Sequence, residues 1–266
     1  MIYLKSEEEI QKIRHSCQLV SRSLALVGQL LRPGITGSEL DAQAGQFIRD
    51  HAAIPAFKGY NGFPASLCIS INEQVVHGIP SALPMKDGDV VSVDCGVLCE
   101  GYYGDAAYTF AIGEVGAEIL QLMRVTLESL ALGIAQAHEG NRIGDISFAI
   151  QEHAEQRHGY GVVRELVGHG IGKQLHEPPE VPNFGKRGSG ISLKEGLVLA
   201  IEPMINLGTR RVKQLKDGWT IITQDKKVSA HYEHTVVVRR DRAEILSDHA
   251  VIEDSVKNNK ELTGIA

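Results

Sequence analysis

The apolar and polar positions between Ser6 and Leu31 follow the period of an amphipathic helix. Ser6 is its expected N-cap, Glu9 stands three residues on to complete a capping box, and Arg32, Pro33 and Gly34 stop it. A second helix is predicted from about Gly37 to Asp50, and Gly59 to Pro64 is rich in turn formers. Strand-like runs follow at Leu67 to Ile71 and Asp89 to Leu98, where apolar residues dominate. From Gly113 the order starts again. A helix is predicted over Glu114 to Ala137, Glu139 and Gly140 stop it, and another is predicted over Ile143 to Gln156.

The two halves match beyond helix order. Ser23-Leu24-Ala25-Leu26 recurs as Ser129-Leu130-Ala131-Leu132, and with the same offset Gly34 falls on Gly140 and Leu40 on Ile146. Val76-His77-Gly78-Ile79 resembles Gly168-His169-Gly170-Ile171. Lys86-Asp87-Gly88-Asp89-Val90-Val91-Ser92-Val93-Asp94 resembles Lys194-Glu195-Gly196-Leu197-Val198-Leu199-Ala200-Ile201-Glu202. Each half thus runs a strand into an acid, Asp94 or Glu202. Each then places a second acid before another strand-like run: Asp105 ahead of Tyr108-Thr109-Phe110, and Glu233 ahead of Thr235 to Val238. A duplication is the economical explanation. Chance similarity of helix-stop and turn chemistry is the alternative for the helices, and a weaker one once the acids are included. The expectation is one domain over residues 1–266, with pseudo-symmetric halves of about 1–113 and 114–250.

A carboxylate at the end of a buried apolar run is costly unless it is paired or bound to a cation. Several such acids converging would repel one another, and divalent ions resolve the conflict. His169, between two glycines that let the backbone bend around it, supplies a nitrogen. Taken singly, each acid could be an N-cap or ion-pair partner and His169 a turn residue. Their recurrence at matched strand ends favours a metal site. Four carboxylates and one imidazole form a mostly hard donor set, suited to Mn, Fe(II) or Co rather than to structural zinc. Two ions would share the bridging carboxylates and one water.

Composition narrows the partners. The 266 residues are 43% hydrophobic and 23% charged, enough for one full core. No apolar run approaches the ~18 residues of a membrane span, and the charged start, Met1 to Ile10, does not read as a signal peptide. Cys17, Cys68, Cys95 and Cys99 form no C-x-x-C pair. Free thiols suit a reducing cytoplasm. A net charge of −6 disfavours general nucleic-acid binding, DNA included. Against that total, Arg210, Arg211, Lys213, Lys216, Lys226 and Lys227 cluster in one stretch. They form either a solvated hairpin or a contact for ribosomal RNA. There is no H-E-x-x-H, Walker A or G-x-S-x-G sequence.

Ser70-Ile71-Asn72-Glu73, Val76-His77-Gly78-Ile79-Pro80, Asp94 and Asp105 eleven apart, Gly168-His169-Gly170-Ile171-Gly172, His176-Glu177-Pro178-Pro179, Ile201-Glu202-Pro203 and Tyr232-Glu233-His234-Thr235 together are specific. On them the chain resembles the type I methionine aminopeptidases, of the pita-bread metallopeptidases, from about Ile2 to Ser247. The resemblance implies an α+β fold in which a curved, mainly antiparallel sheet carries the metals and helices cover its outer face. It implies two divalent ions bridged by Asp105 and Glu233. Asp94 completes one, while His169 and Glu202 complete the other. Glu202 would also take a proton from the attacking water, and His77 and His176 would face the substrate as oxyanion stabilisers. The methionine pocket would be formed by Tyr60, Phe63, Cys68 and Trp219, with Phe57 and Leu175 at its edge. Plain packing in a hairpin is the alternative for Trp219. Phe57, Asn61 and Leu175 depart from commoner bacterial patterns of cysteine, histidine and phenylalanine, which puts the pocket's shape in doubt.

The expected activity is removal of the initiator methionine from nascent chains whose second residue is small. The bare bacterial form is expected, cytoplasmic and monomeric. Two rivals remain at this level: a proline-specific relative, which typically carries an extra N-terminal domain, and a non-catalytic binding protein on the same fold, which would usually have lost metal ligands.

Overall fold

The computed structural model describes residues 2–265. Helix α1 (Glu7–Leu30) starts where the Ser6 hydroxyl accepts from the Glu9 backbone N–H and the Glu9 carboxylate accepts from that of Ser6, the predicted capping box. Thr36 and Glu39 repeat the device at α2 (Gly37–Asp50). Strands β1 (Leu67–Ile71) and β2 (Gln74–Val76) lead to a long hairpin of β3 (Val90–Cys99) and β4 (Tyr102–Ile112). Helix α3 (Ala117–Ala135) is shorter at both ends than its pattern suggests, and α4 ends at Gln151 (Ile143–Gln151). The expected helix to Gln156 instead widens into a π turn, Glu152–Arg157, where His153 reaches across to Glu128 of α3 at 2.8 Å.

The second half supplies short strands: β5 (Gly168–Gly170), β6 (Glu177–Val181), β7 (Val198–Ile201), β8 (Met204–Asn206), β9 (Val212–Gln214), β10 (Ile221–Thr223), β11 (Ser229–His231) and β12 (His234–Val237). Helix α5 (Ala250–Asn258) follows. All these strands pair antiparallel. Helix α1 lies across β3 and β4 and against α5, and α3 lies over β8 and β11 and against α4. Close approach of α1 depends on Gly104, where a Cβ would stand 2.5 Å from the Cys17 backbone nitrogen. Leu24, Leu31, Phe110, Leu122 and Tyr232 are fully buried between these layers, so the apolar helix faces supply the driving force for the sandwich.

One seam positions the site. The segment β7–β8 runs antiparallel to β11–β12, with Val198–Ile201 on His234–Val237 and Met204–Asn206 on Ser229–His231. The ladder breaks between them, at Glu202-Pro203 and Tyr232-Glu233, and Pro203 has no N–H to continue it. The Glu233 N–H donates instead to the Ala107 carbonyl of β4 at 3.0 Å. The Thr235 hydroxyl donates to the Asp105 carbonyl at 2.7 Å, and the Tyr232 hydroxyl to the Thr109 carbonyl at 3.1 Å. These bonds hold the acids of both halves side by side.

Candidate metal centre

Register brings the first two acids together. In the β3–β4 hairpin Asp94 faces Ala107 and Asp105 faces Gly96. The two acids are therefore diagonal neighbours on one face of the sheet. Cys68 of β1 is opposite Asp94 and shares that face. Asp105 lies within β4 rather than ahead of a strand, as its spacing had suggested. Glu202 and Glu233 enter from the broken ladder of the other half.

His169 comes from β5, which is sandwiched between β6 and β7, opposite Glu180 and Ala200. The flanking glycines do not form the expected bend. They let neighbouring strands close in: a Cβ on Gly168 would meet the Ala200 carbonyl at 2.4 Å, and one on Gly170 the Pro178 carbonyl at 2.5 Å. His169 Nδ1 donates to the Gly170 carbonyl at 2.8 Å. That bond selects the tautomer whose Nε2 lone pair is bare, the form that binds a metal.

Ligand atoms of Asp105, His169 and Glu233 lie within 4.8 Å of one another, as do those of Glu202, His231 and Glu233. Asp94 Oδ1, Asp105 Oδ1, Glu233 Oε1 and His231 Nε2 are buried without a hydrogen-bond partner. So many orphaned polar atoms in one place, three of them carboxylate oxygens, are untenable unless a cation or protons satisfy the acids. Burial pushes Asp94 up to about 7, with His231 drawing it back and the Glu202 charge adding to it. Burial alone pushes Glu202 up to about 8. Asp105 and Glu233 rise well above the carboxylate range, first by burial and then through the neighbouring acids. Burial also drives His169 down to about 3, and the nearby His176 adds to this. A neutral imidazole among oxygen donors that reject their own charge is the donor set of a divalent-cation site, and the residues fit one.

The acids and His169 line a cavity of about 340 Å³. Its other lining residues include His77, His176, Tyr60, Phe63, Cys68, Trp219, Phe57, Asn61 and Leu175, so every residue that the resemblance placed at the metals or the substrate pocket lines it. Phe63 and Trp219 pack edge to face at 5.1 Å. His77 has φ +56°, an uncommon left-handed conformation for a residue with a side chain and one that clusters at functional sites. Burial lowers His77 to about 4, with His231 and His176 adding to it, and burial also lowers His176. The Tyr60 hydroxyl shares a 2.7 Å hydrogen bond with His176 Nδ1. Burial holds the phenol above its ordinary range, so it keeps its proton. With that hydroxyl as the donor, the proton of a neutral His176 sits on Nε2.

Residues 11–240 match the profile described as metallopeptidase family M24. The chain belongs to metallopeptidase family M24. Its M24 relatives cover nearly the whole sequence. A methionine aminopeptidase of Clostridium perfringens is 52% identical over 247 residues, 93% of this chain and 99% of the relative. The crystal structure of methionine aminopeptidase from Rickettsia prowazekii superposes with a TM-score of 0.92 at 40% identity, covering 93% of this chain and 100% of that one. That from Thermotoga maritima gives 0.91 at 42% identity, again covering 93% and 100%. The pita-bread fold of these M24 enzymes, expected from the motifs, is therefore the fold of this chain.

Sequence reasoning missed several residues of the M24 site. Val76, Glu165, Leu166, Val167 and Met204 also line the cavity, and His231 stands behind it. The signal for His231 was available: two residues before Glu233 in a strand-like run puts both side chains on the same face.

Proposed function

We propose that the chain is a methionine aminopeptidase, a hydrolase that releases the initiator methionine from nascent chains whose second residue is small. The observation that carries the reading is one continuous cavity lined both by a carboxylate-rich cation site and by aromatic side chains and a thiol. The near-full-length likeness to methionine aminopeptidases supports it. Asp94, Asp105, His169, Glu202 and Glu233 would hold two divalent ions. Mn, Fe(II) and Co suit this set. When bound, the ions supply positive charge that polarises the scissile carbonyl and acidifies water.

The protein's own groups do the rest. Glu202 takes the proton from the attacking water. His176 points a protonated Nε2, set by Tyr60, at the developing oxyanion, and His77 assists from the other side. Tyr60, Phe63, Cys68 and Trp219 hold the methionine side chain, whose thioether packs well on aromatic edges. Phe57 and Leu175 narrow its edge, and exposed Asn61 lies at the rim. No described helix is long and apolar enough to cross a membrane. Four buried free cysteines agree with a cytoplasmic setting, and we take the protein to act as a monomer. Arg211, Lys213 and Lys216 are exposed and Arg210 half-buried along the β9–β10 hairpin, so this basic face is free to meet ribosomal RNA.

The test is release of free methionine from Met-Ala-Ser by protein loaded with Mn, Fe(II) or Co, set beside Xaa-Pro substrates. Turnover of Xaa-Pro alone favours the proline-specific rival, and no divalent binding at all favours a binding module. Tyr60→Phe is expected to lower kcat/KM on Met-Ala-Ser by about 2- to 10-fold, the equivalent of one neutral hydrogen bond. An unchanged value would show that Tyr60 does not set His176.

A further inference from the structure

The five residues assigned to the ions leave one group at the centre unexplained. His231, at the end of β11, is 1% exposed, and its Nε2 is buried without a partner. It does not line the cavity, so it does not touch a substrate. Its backbone is clamped: the His231 N–H donates to the Thr109 hydroxyl at 3.0 Å, and that hydroxyl donates to the His231 carbonyl at 2.7 Å. Pairing with Met204 of β8 sets it beside Glu202.

Glu202 stands between two imidazoles. Its Oε1 is 3.7 Å from His169 Nε2 and its Oε2 is 3.6 Å from His231 Nε2. The two rings differ in kind. His169 has its other nitrogen engaged by the Gly170 carbonyl, which leaves Nε2 as a lone pair. His231 Nε2 faces an oxygen that the His169 side does not use. The gap is slightly beyond hydrogen-bonding range, so a small movement of the carboxylate closes it.

We propose that His231 is a positioning residue: its Nε2–H donates to Oε2 of Glu202, holding the carboxylate so that Oε1 is presented with His169 to the metal. The proposal rests on the two-ion reading above. Metal-ligating carboxylates are commonly held in this way by a hydrogen-bond donor behind them, and loss of such a partner weakens metal binding by about 10- to 100-fold. The arrangement also explains why a polar ring is kept in a dry position where it otherwise costs stability.

The test measures Mn(II) affinity by competition with a chelating dye. The proteins are wild type, His231→Leu, His231→Phe as a second donor-free variant, and His231→Gln, whose amide N–H reaches a similar place. Absence of Mn(II) binding by wild type would sink the metal reading itself. With wild type binding, the expected result is about 10- to 100-fold weaker affinity in the Leu or Phe variant, near-complete recovery in the Gln variant, and an unchanged thermal midpoint of the metal-free folds. The visible absorption of the Co(II)-loaded Leu or Phe variant should keep the band pattern of wild type, because no ligand is lost. Unchanged affinity without the donor, failure of Gln to restore it, or a Co(II) spectrum showing one nitrogen ligand fewer would each overturn the proposal, the last by making His231 a ligand.

Discussion

Asp105→Asn is expected to abolish methionine release and at the same time to leave the metal-free protein at least as stable as wild type. Asp105 is 3% exposed, and Oδ1 has no partner. Burial and the charges of Asp94 and Glu202 push its proton affinity far up. Removing the ionisable group relieves that repulsion in the empty site. On the proposed two-ion reading, the same change removes an oxygen that would hold the ions. The loss in kcat/KM on Met-Ala-Ser should therefore exceed the ~10- to 100-fold typical of outer groups around a metal. Urea unfolding with and without chelator, together with the peptide assay, checks both halves. A variant that is inactive because it is unfolded would contradict the stability half, and one that keeps a tenth of wild-type activity would contradict the assignment of Asp105 as a metal ligand.

The second large effect is a metal stabilisation that grows with pH. Asp94 titrates at about 7 and Glu202 at about 8 in the folded, metal-free chain, against about 4 in an unfolded one. Their folded values are raised, so their favourable contribution is complete below pH ~4 and is lost as pH rises through 7 to 8. Between those limits the native state holds more protons than the unfolded state, and each excess proton lowers stability by about 1.4 kcal/mol per pH unit. Buried histidines act the other way. His169 and His249 sit at about 3 and about 4 in the fold, so they destabilise it as pH falls below ~6.5, where unfolded histidine takes up its proton.

The clean window lies above pH ~7.5, where histidine is almost wholly neutral in both states. There the metal-free midpoint should drop with rising pH. Added Mn(II), which binds the deprotonated carboxylates, should restore it. At ~100 times the dissociation constant an ion adds about 2.7 kcal/mol, and ~1 kcal/mol moves the midpoint of a chain near this size by about 2–4 °C. The gap between loaded and empty protein should thus be several degrees at pH 8 and smaller at pH 6.5. A gap that is constant or shrinks would mean that these carboxylates are not protonated in the empty fold.

Much of this was legible in residue order because the signals are local. Ser6 and Glu9 announced a helix start, and Lys86 to Asp94 matched Lys194 to Glu202, each an apolar run ending in an acid that a buried strand carries only when it is paired or bound to a cation. Those matches depend on near neighbours along the chain, and capping chemistry and the cost of a buried charge act over a few residues. The widening of α4 into a π turn was not legible, because it accompanies a contact with α3. Nor was the role of Gly168 and Gly170: they read as a bend, yet they admit strands that are distant in sequence.

The identities of the four acids and the imidazole, the M24 membership and the capped helices were all contained in the order of residues. The convergence of those residues was decided by the fold. Asp94 and Asp105 share a face only because the β3–β4 register makes them diagonal. Glu233 reaches them only because Pro203 breaks a ladder and frees the Glu233 N–H for the Ala107 carbonyl. The sequence offered for His231 only its place two residues before Glu233, and its burial 3.6 Å from Glu202 is what marks it. Pairing register and desolvation are properties of segments brought together from far along the chain, so no local pattern records them.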